Sequence, residues 1–367
     1  MKRPEDLIIG SFHLPKVSVR PLIPSPPSSK VSFPRSQHLL WQLVKRDWGI
    51  LSGPWATVRV PLERIVLEGE QHNLVLDQAY DYIATYGLTH LANFAVLSTG
   101  TDPITPSTTG LTGEFIRTSR DQNGSTGTRT VSRISDGVYR VSLVREFIES
   151  EVVGRNITQW GFSPVGTSGN NLVVAESFRD GNGDPIVITP EPDQRLRLIY
   201  TYQFSIGPVV AVPASIDIVG LGTFLGKYVL TKSDGGSGGS YPDLVSTEIA
   251  ITGSVIDSGG GPSVAYKNVY LHSASLPTDY GDTTVDTNVL ASKWPGLQSY
   301  VLGSYSRSTN PVTFLTNEGN GTILTIGLGS YWGGGFRFVL DPGYGIVKDN
   351  LHKLTLGPFT VTWSPIE

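Results

Sequence analysis

The sequence predicts an all-β protein with two antiparallel β-sandwich domains of jelly-roll type, the first containing one α-helix, behind an extended proline-rich arm. The chain contains 42 glycines and 25 prolines among its 367 residues. Their combined share is well above the roughly 12 % typical of ordinary proteins, so we expect frequent turns. Short runs of alternating apolar residues recur between Gly, Pro, Asp and Ser, as antiparallel strands require. Helical segments do not separate these runs, which argues against βαβ units.

Residues 1–55 are predicted to form the arm. Six prolines between positions 15 and 34 are too many for a helix or a central strand. A solvated tail and an arm that docks on another subunit both fit this composition, and its apolar side chains favour docking. The candidate docking residues are Leu7, Ile8, Ile9, Phe12, Leu22, Ile23, Phe33 and Trp41. A short amphipathic helix capped by Ser36 is expected over residues 36–47, with one apolar face made of Leu39, Leu40, Leu43 and Val44.

Residues 56–207 are predicted to form the first β-domain. Its single helix is expected to have Asn73 as N-cap and Gly87 as C-cap glycine. The apolar face of that helix contains Leu76, Ala79, Tyr80, Ile83 and Ala84. Residues 132–147 alternate on both sides of Asp136–Gly137, which predicts a β-hairpin with its turn at that pair.

Residues 208–367 are predicted to form the second β-domain. Its expected strands include residues 246–256, which read STEIAITGSVI, and the C-terminal run LTLGPFTVTWS. The glycine-rich segments 234–240 and 257–263 are interpreted as loop tips or tethers. The position of this domain in the chain suggests that it is distal and faces a receptor.

Composition excludes several classes of function. A net charge of −4 gives no field that would attract a polyanion, so nucleic acid is not an expected partner. The absence of cysteine excludes disulfides, cysteine-ligated metals and thiol nucleophiles. No apolar run is long enough to span a membrane, and the N-terminus lacks the apolar stretch of a signal peptide. No cofactor is expected.

Two motifs raise the question of chemistry. The candidate calcium ligands, at alternating positions with a later glutamate, are Asp180, Asn182, Asp184 and Glu191. Pro185 stands where a calcium loop needs glycine, and Gly183 suits a hairpin turn, so a turn is favoured over a metal site. Residues 235–239 match G-x-S-x-G, but no helix is expected after them, as a nucleophile elbow requires. No pair of carboxylates has the spacing of a glycosidase, so no catalytic residue and no enzyme is predicted.

Aromatic residues of the second domain are candidates for receptor contact. Rings beside glycine or proline stack on sugars or bury into a partner, although the same residues also suit a tightly packed sandwich core. Both interpretations stay open for Trp294, Tyr331, Trp332 and Phe336.

One segment suggests a family. Residues 73–120 contain a helix, the strand FAVLSTG, then Pro–Ser–Thr–Thr, then Gly–Leu–x–x–Glu–x–x–Arg from Gly110 to Arg117. Together with ITQWGFSP and the strand ending QFSI, this region resembles tailed-bacteriophage and prophage tail-fibre or minor tail proteins over roughly residues 70–206. The final 30 residues are more loosely similar to such proteins. One departure is Gln159, where a glutamate commonly stands.

The resemblance implies a structural virion component of tail-fibre, tail-tip, baseplate or collar type. Such a protein is assembled in the host cytoplasm, docks on other virion proteins through its arm, and forms a homo-oligomer, with a homotrimer favoured. A contribution to host attachment through a surface glycan or protein is a further expectation. The alternatives are a head–tail, neck or capsid-decoration protein and a non-catalytic carbohydrate-binding protein.

Overall fold

The computed structural model describes residues 6–8, 28–34, 36–52, 57–218, 221–232, 241–252, 268–282, 288–329 and 335–366. Strands account for 53 % of the chain and helices for 8 %, in three helices within the described residues. Several antiparallel sheets are present, which confirms the prediction of an all-β fold. No described helix has the length and apolar character that a membrane span requires.

The elements are numbered in chain order. The first half contains β1 (Asp6–Ile8), β2 (Ser28–Pro34), β3 (Ser36–Ser52), β4 (Thr57–Val75), α1 (Asp77–Tyr86), β5 (Phe94–Ser98), β6 (Glu114–Thr118), β7 (Thr130–Ser135), β8 (Val138–Phe147), α2 (Glu149–Val152), β9 (Gln159–Ser163), β10 (Val174–Ser177) and β11 (Gln194–Gly207). The second half contains β12 (Val212–Ile218), β13 (Gly222–Thr231), α3 (Pro242–Thr252), β14 (Asn268–His272), β15 (Val289–Lys293), β16 (Ser306–Ser308), β17 (Val312–Phe314), β18 (Gly321–Ile323), β19 (Thr325–Gly329), β20 (Gly335–Leu340), β21 (Ile346–Lys348), β22 (Lys353–Leu356) and β23 (Thr360–Ile366).

The chain divides into two compact units. Unit 1 comprises Met1–Ser32, Ser135–Val138 and Ser205–Ser364. Unit 2 comprises Phe33–Ile134, Tyr139–Phe204 and Pro365–Glu367. The domain boundaries near residues 55 and 207 stay a sequence prediction.

In unit 2 the strands follow the order β7–β8–β11–β3–β4–β10–β9–β5–β6, and the pairs with a defined register are antiparallel. Leu39, Trp41 and Leu43 alternate along β3 and lie opposite buried residues of β11, so one face of the sheet forms the core. Helix α1 adds its own apolar face to this core. The buried residues of α1 are Ala79, Tyr80, Ile83 and Ala84, as predicted.

The predicted helix over residues 36–47 is wrong, because this segment is strand β3. Leu39 and Leu43 satisfy a helical spacing, but with Trp41 they also satisfy the alternation of a strand. Hydrogen-bonded neighbours on both edges, β4 and β11, decide in favour of the strand. Tertiary pairing therefore overrides the local helical pattern.

The ends of α1 are partly as predicted. Gly87 has a positive φ of 69° and its N–H donates to the Ile83 carbonyl, which confirms it as the C-cap glycine. The predicted N-cap is wrong: Leu76 occupies that position without a side-chain hydrogen bond, and Asn73 lies within β4. The helix begins three residues later than expected, so Asn73 is a buried strand residue.

The hairpin predicted over residues 132–147 is confirmed as β7 and β8. Gly137 has φ of 67° in its turn, and a Cβ there would lie 2.4 Å from the Ile206 carbonyl oxygen. Both the backbone conformation and the close approach of this carbonyl require glycine.

Unit 1 contains a six-stranded antiparallel sheet in the order β12–β13–β20–β19–β14–β15. The strand predicted over residues 246–256 is wrong where the structure describes it, because Pro242–Thr252 form helix α3. Pro242 at the first helical position and Asp243 in the first turn are typical helix-start residues, and they outweigh the β-branched content of the segment.

Candidate functional site

A long loop in unit 2 connects β5 to β6 and presents threonine and proline side chains to solvent. Residues 105–107 are exposed, but other residues of the loop pack against the core. Its Ile104 and Leu111 pack against a buried cluster made by Leu76, Val96, Leu172 and Ala175. The loop therefore has its own apolar anchor, although it carries few apolar residues.

Hydrogen bonds hold the same loop at several points. The amide of Gln78 donates to the Thr109 carbonyl at 3.1 Å, and the Asp77 N–H donates to the Pro106 carbonyl at 2.8 Å. The Gln159 amide donates to the Asp102 carbonyl at 2.6 Å. A glutamate at position 159 would lack this donor when ionised, so the amide of Gln159 has a structural use in this chain.

The Glu–x–x–Arg motif forms an ion pair within β6, the strand that follows this loop. Arg117 Nε and Nη2 donate to the two carboxylate oxygens of Glu114 at 2.7 and 2.9 Å. Residues three apart on a regular strand point to opposite faces, but the pairing of β5 with β6 shifts register between Leu97 and Ser98. This bulge in β6 places Glu114 and Arg117 on the same face.

The remaining donors of Arg117 hold a second loop. Its Nη1 donates to the Val165 carbonyl at 3.0 Å and to Asn171 Oδ1 at 2.6 Å, and its Nη2 to the Gly169 carbonyl at 3.3 Å. The side chains of Arg117 and Glu114 are only 4 % and 8 % exposed. The motif is thus a buried clamp for residues 165–171, and we call it the Glu114–Arg117 clamp.

A second feature of unit 2 is an extended β-ribbon. Strand β3 pairs with β4 as far as Ser52–Thr57, whereas β11 pairs with β3 only as far as Lys45. Roughly 20 Å of ribbon therefore continues beyond the third strand. Two-stranded ribbons are marginally stable in water by themselves, so a partner surface would stabilise this one.

Strand β4 exposes four apolar residues near the point where the ribbon leaves the three-stranded part of the sheet. Their exposed fractions are 52 % for Leu62, 49 % for Ile65, 45 % for Val66 and 50 % for Leu67. Strand β10 pairs with β4 only at Leu74 and Val75, so the outer edge of β4 before these residues pairs with no described strand. An apolar strand with an open edge is the type of surface that pairs with another chain.

A cluster of arginine and glutamate side chains lies on the sheet face opposite the core, and we call it the Glu146 cluster. Glu146 is 1 % exposed and accepts from three arginines, at 2.6 Å from Arg197, 3.0 Å from Arg195 and 3.3 Å from Arg46. Further pairs join Arg197 to Glu63 at 2.8 Å and Arg195 to Glu149 at 2.7 Å. Each charge in the cluster has at least one opposite charge beside it.

Burial and pairing compete in setting the pKa values of this cluster. Burial opposes ionisation of Glu63, yet the hydrogen bond and charge of Arg197 lower its pKa. The pKa of Glu149 is lowered by Arg195 against the same burial effect. Beside the cluster, Arg120 lowers the pKa of Glu151 in the same way. These carboxylates are therefore ionised at neutral pH.

The candidate calcium loop forms a turn. The Asp180 carboxylate accepts hydrogen bonds from the N–H groups of Asn182 and Asp184, each at 2.9 Å, and Gly183 has φ of 89°. These hydrogen bonds lower the pKa of Asp180. The predicted turn is present in the structure. Glu191 instead contacts Gln194, and in the described part of the chain no three His, Asp or Glu side chains lie together as metal ligands.

The predicted docking residues have different positions. Trp41 is 1 % exposed, packs against Phe178 and lies over Gly69, so it is a core residue and not a partner contact. Phe33 is 3 % exposed and contacts Tyr80 and Tyr202, so the same correction applies to it. The backbone of Leu7 and Ile8 lies in β1 and pairs with β22 of the same chain. The candidates outside the described residues are Ile9, Phe12, Leu22 and Ile23.

The predicted receptor residues do not form one described surface. Phe336 is 2 % exposed and stacks on Tyr228, which supports the core interpretation for it. Trp294 is half-buried. Tyr331 and Trp332 lie outside the described residues, as does the G-x-S-x-G segment.

Sequence reasoning missed both the ribbon and the Glu146 cluster. The signal for the cluster was Arg195-x-Arg197 in the predicted strand ending QFSI, because alternation places both arginines on one face. In comparisons with known proteins, no protein family, no curated protein and no solved structure matches this chain.

Proposed function

We propose that the chain is a structural component of a tailed-phage virion, of tail-fibre, minor tail, tail-tip, baseplate or collar type. It acts by assembly, forms a homo-oligomer for which a trimer is favoured, and contributes to host attachment. The N-terminal arm docks on other virion proteins in this proposal. The sequence resemblance over residues 70–206 is one source of support.

The observation that carries the assembly part is the exposed apolar stretch of β4. Leu62 lies on the ribbon, and Ile65, Val66 and Leu67 lie at its base, next to an edge of β4 without a described partner. Covering such side chains contributes about 25 cal/mol for each Å² removed from water, which favours association.

A second observation agrees with a role based on shape. The β5–β6 loop exposes Thr105, Pro106 and Ser107 on a fixed backbone that is anchored by apolar contacts and by the hydrogen bonds of Asp77, Gln78 and Gln159. A loop that is ordered before it meets a partner loses little conformational entropy on binding. Its side chains offer hydroxyl groups and apolar surface but no acid–base pair for catalysis.

The proposal is tested by the solution mass of the full chain and by its location on an intact particle. We expect a trimer for a fibre, whereas a ring of about six or twelve subunits would indicate a neck or collar component. The double variant Ile65→Ser/Val66→Ser should weaken association, because polar side chains cost burial energy at the contact. Val187→Ser is the matched control, since Val187 is 59 % exposed in unit 2 but lies outside the ribbon. A monomer that turns over a substrate and is absent from purified particles would refute the proposal.

A further inference from the structure

Two adjoining depressions lie on the outer face of unit 2, beside the Glu146 cluster. The larger has a volume of about 460 Å³ and the smaller about 240 Å³. Both are lined by the segment Asp121–Asn123, so they are neighbours, and we call the two depressions together the groove. Volumes of a few hundred Å³ are typical of small-ligand sites.

The three arginines that line the larger depression are paired with carboxylates of the same chain. Arg46 pairs with Glu63 at 3.1 Å, and Arg120 pairs with Glu151 at 2.8 Å. Arg195 is shared by two carboxylates of the Glu146 cluster. An anionic ligand would have to displace these carboxylates, so the groove favours a ligand without net charge.

Hydrogen-bonding capacity nevertheless remains. Among the described residues, Nη1 of Arg46 and Nη2 of Arg195 donate to no acceptor, and the side-chain amides of Gln122 and Asn123 form no hydrogen bond. Guanidinium and amide groups are planar and offer donors and acceptors in fixed directions. Adjacent hydroxyl groups of a ligand can form hydrogen bonds with guanidinium and amide groups arranged in this way.

The groove is held in shape before any ligand arrives. The Asp121 carboxylate accepts from the N–H groups of Asn123 and Ser125 at 2.8 and 2.9 Å and from Thr128 Oγ1 at 2.8 Å. Arg46 Nη2 donates to the Gln122 carbonyl at 2.6 Å and fixes the same loop to β3. Preorganised polar groups lose little entropy on binding, which increases their contribution to affinity.

The smaller depression adds an apolar wall. Val144 and Ile199 line it and are half-buried, and Arg129 lines the same depression. A ligand that carries hydroxyl groups on its rim and C–H groups on its faces matches a groove with these two kinds of wall.

We propose that this groove binds a neutral oligosaccharide. The ligand's hydroxyl groups take up the free donors of Arg46 and Arg195 and the amides of Gln122 and Asn123, and its C–H faces contact Val144 and Ile199. This inference extends the proposed role in host attachment to a named surface. It assigns recognition to unit 2, whereas the sequence placed the receptor contact in residues 208–367.

The test begins with the purified full chain on an array of neutral and acidic oligosaccharides, followed by calorimetric titration with the best ligand. We expect neutral ligands to bind, with an affinity that changes little between low and high salt. The variant Gln122→Ala/Asn123→Ala should bind at least roughly tenfold more weakly, because two hydrogen-bonding side chains are lost. Both residues are exposed, so the melting temperature should be unchanged.

Asn170→Ala is the matched control, because Asn170 is an exposed amide of unit 2 outside the groove. Its affinity should equal that of the unmodified chain. Binding only to acidic ligands, no binding to any neutral ligand, or equal loss in the control would each overturn the inference. Incorporation of the Gln122→Ala/Asn123→Ala chain into particles is measured separately, so failure of the groove and failure of the virion assignment give different results.

Discussion

The Glu114–Arg117 clamp and the Glu146 cluster both use arginine and glutamate to hold loops of unit 2, but they differ in the number of partners. In the clamp one guanidinium meets one carboxylate, and both are almost fully buried. In the cluster Glu146 meets three arginines, and each of these contacts a second carboxylate as well. The clamp has no substitute for either member, whereas the cluster has several.

This difference decides how each arrangement responds to the loss of one group. A buried charge without its partner is strongly destabilising, because its desolvation is no longer offset. A charge that retains another partner loses only part of its interaction energy. The clamp should therefore be sensitive to substitution, and the cluster should be tolerant.

The largest effect is expected for Arg117→Met. This change leaves the Glu114 carboxylate buried without a partner and frees the carbonyls of Val165 and Gly169. We expect the free energy of unfolding to fall by about 3–5 kcal/mol, measured by denaturant titration.

Arg179→Met is the control for this prediction, because Arg179 and Glu176 have the same i,i+3 spacing. Their side chains are 38 % and 18 % exposed, so the loss should be less than about 1 kcal/mol. Equal losses in the two variants would show that burial does not set the strength of the clamp.

An intermediate effect is expected for Glu146→Gln. The amide removes a buried charge, but Arg197 keeps Glu63 and Arg195 keeps Glu149. The free energy of unfolding should fall by about 2 kcal/mol, less than for Arg117→Met under the same conditions. A larger loss than in the clamp variant would contradict the idea that the cluster is tolerant.

The smallest effect concerns acid. Despite partial burial, the paired arginines lower the pKa of Glu149 and Glu151 in the folded chain below the ordinary value of 4.5. Their contribution is therefore complete above the unfolded value and is lost as the pH falls below about 4.5 through the folded pKa. Equilibrium unfolding between pH 7 and 3 should show this decline. In the Glu151→Gln variant the free energy of unfolding should decline less steeply with acid. The difference should stay below about 1 kcal/mol, because solvent screens the Arg120–Glu151 pair. An unchanged pH dependence in this variant would show that Glu151 does not contribute to the loss of stability in acid.

Much of the fold could be predicted from the sequence, because local signals and tertiary pairing agree there. Gly87 after an apolar helix face and Asp136–Gly137 between alternating runs are examples, and both were confirmed. The two wrong elements, at 36–47 and 246–256, lie where one apolar pattern fits both a helix and a strand. Long-range pairing decided the first case and the proline-led helix start the second.

The candidate sites were harder to predict. The Glu–x–x–Arg spacing was visible, but its meaning depends on a bulge that only the register of β5 and β6 reveals. The Glu146 cluster joins Arg46, Glu63 and Arg195 from distant parts of the chain, and a single sequence gives no sign of that proximity. The exposure of β4 depends on where its neighbouring strands stop, which composition does not encode.

Strand β4 has an irregularity of its own, since Val44 lies opposite Ile65 while Leu43 lies opposite Leu67, which leaves Val66 without a counterpart. Deleting Val66 would preserve all the other residue pairs between β3 and β4. Deleting a residue between Thr57 and Ile65 would instead shift the register of β4 against β3 by one residue in the ribbon. A homologue that lacks one residue at this point would therefore keep the same side chains on each face of the sheet. A one-residue gap there in an alignment would not indicate a different register.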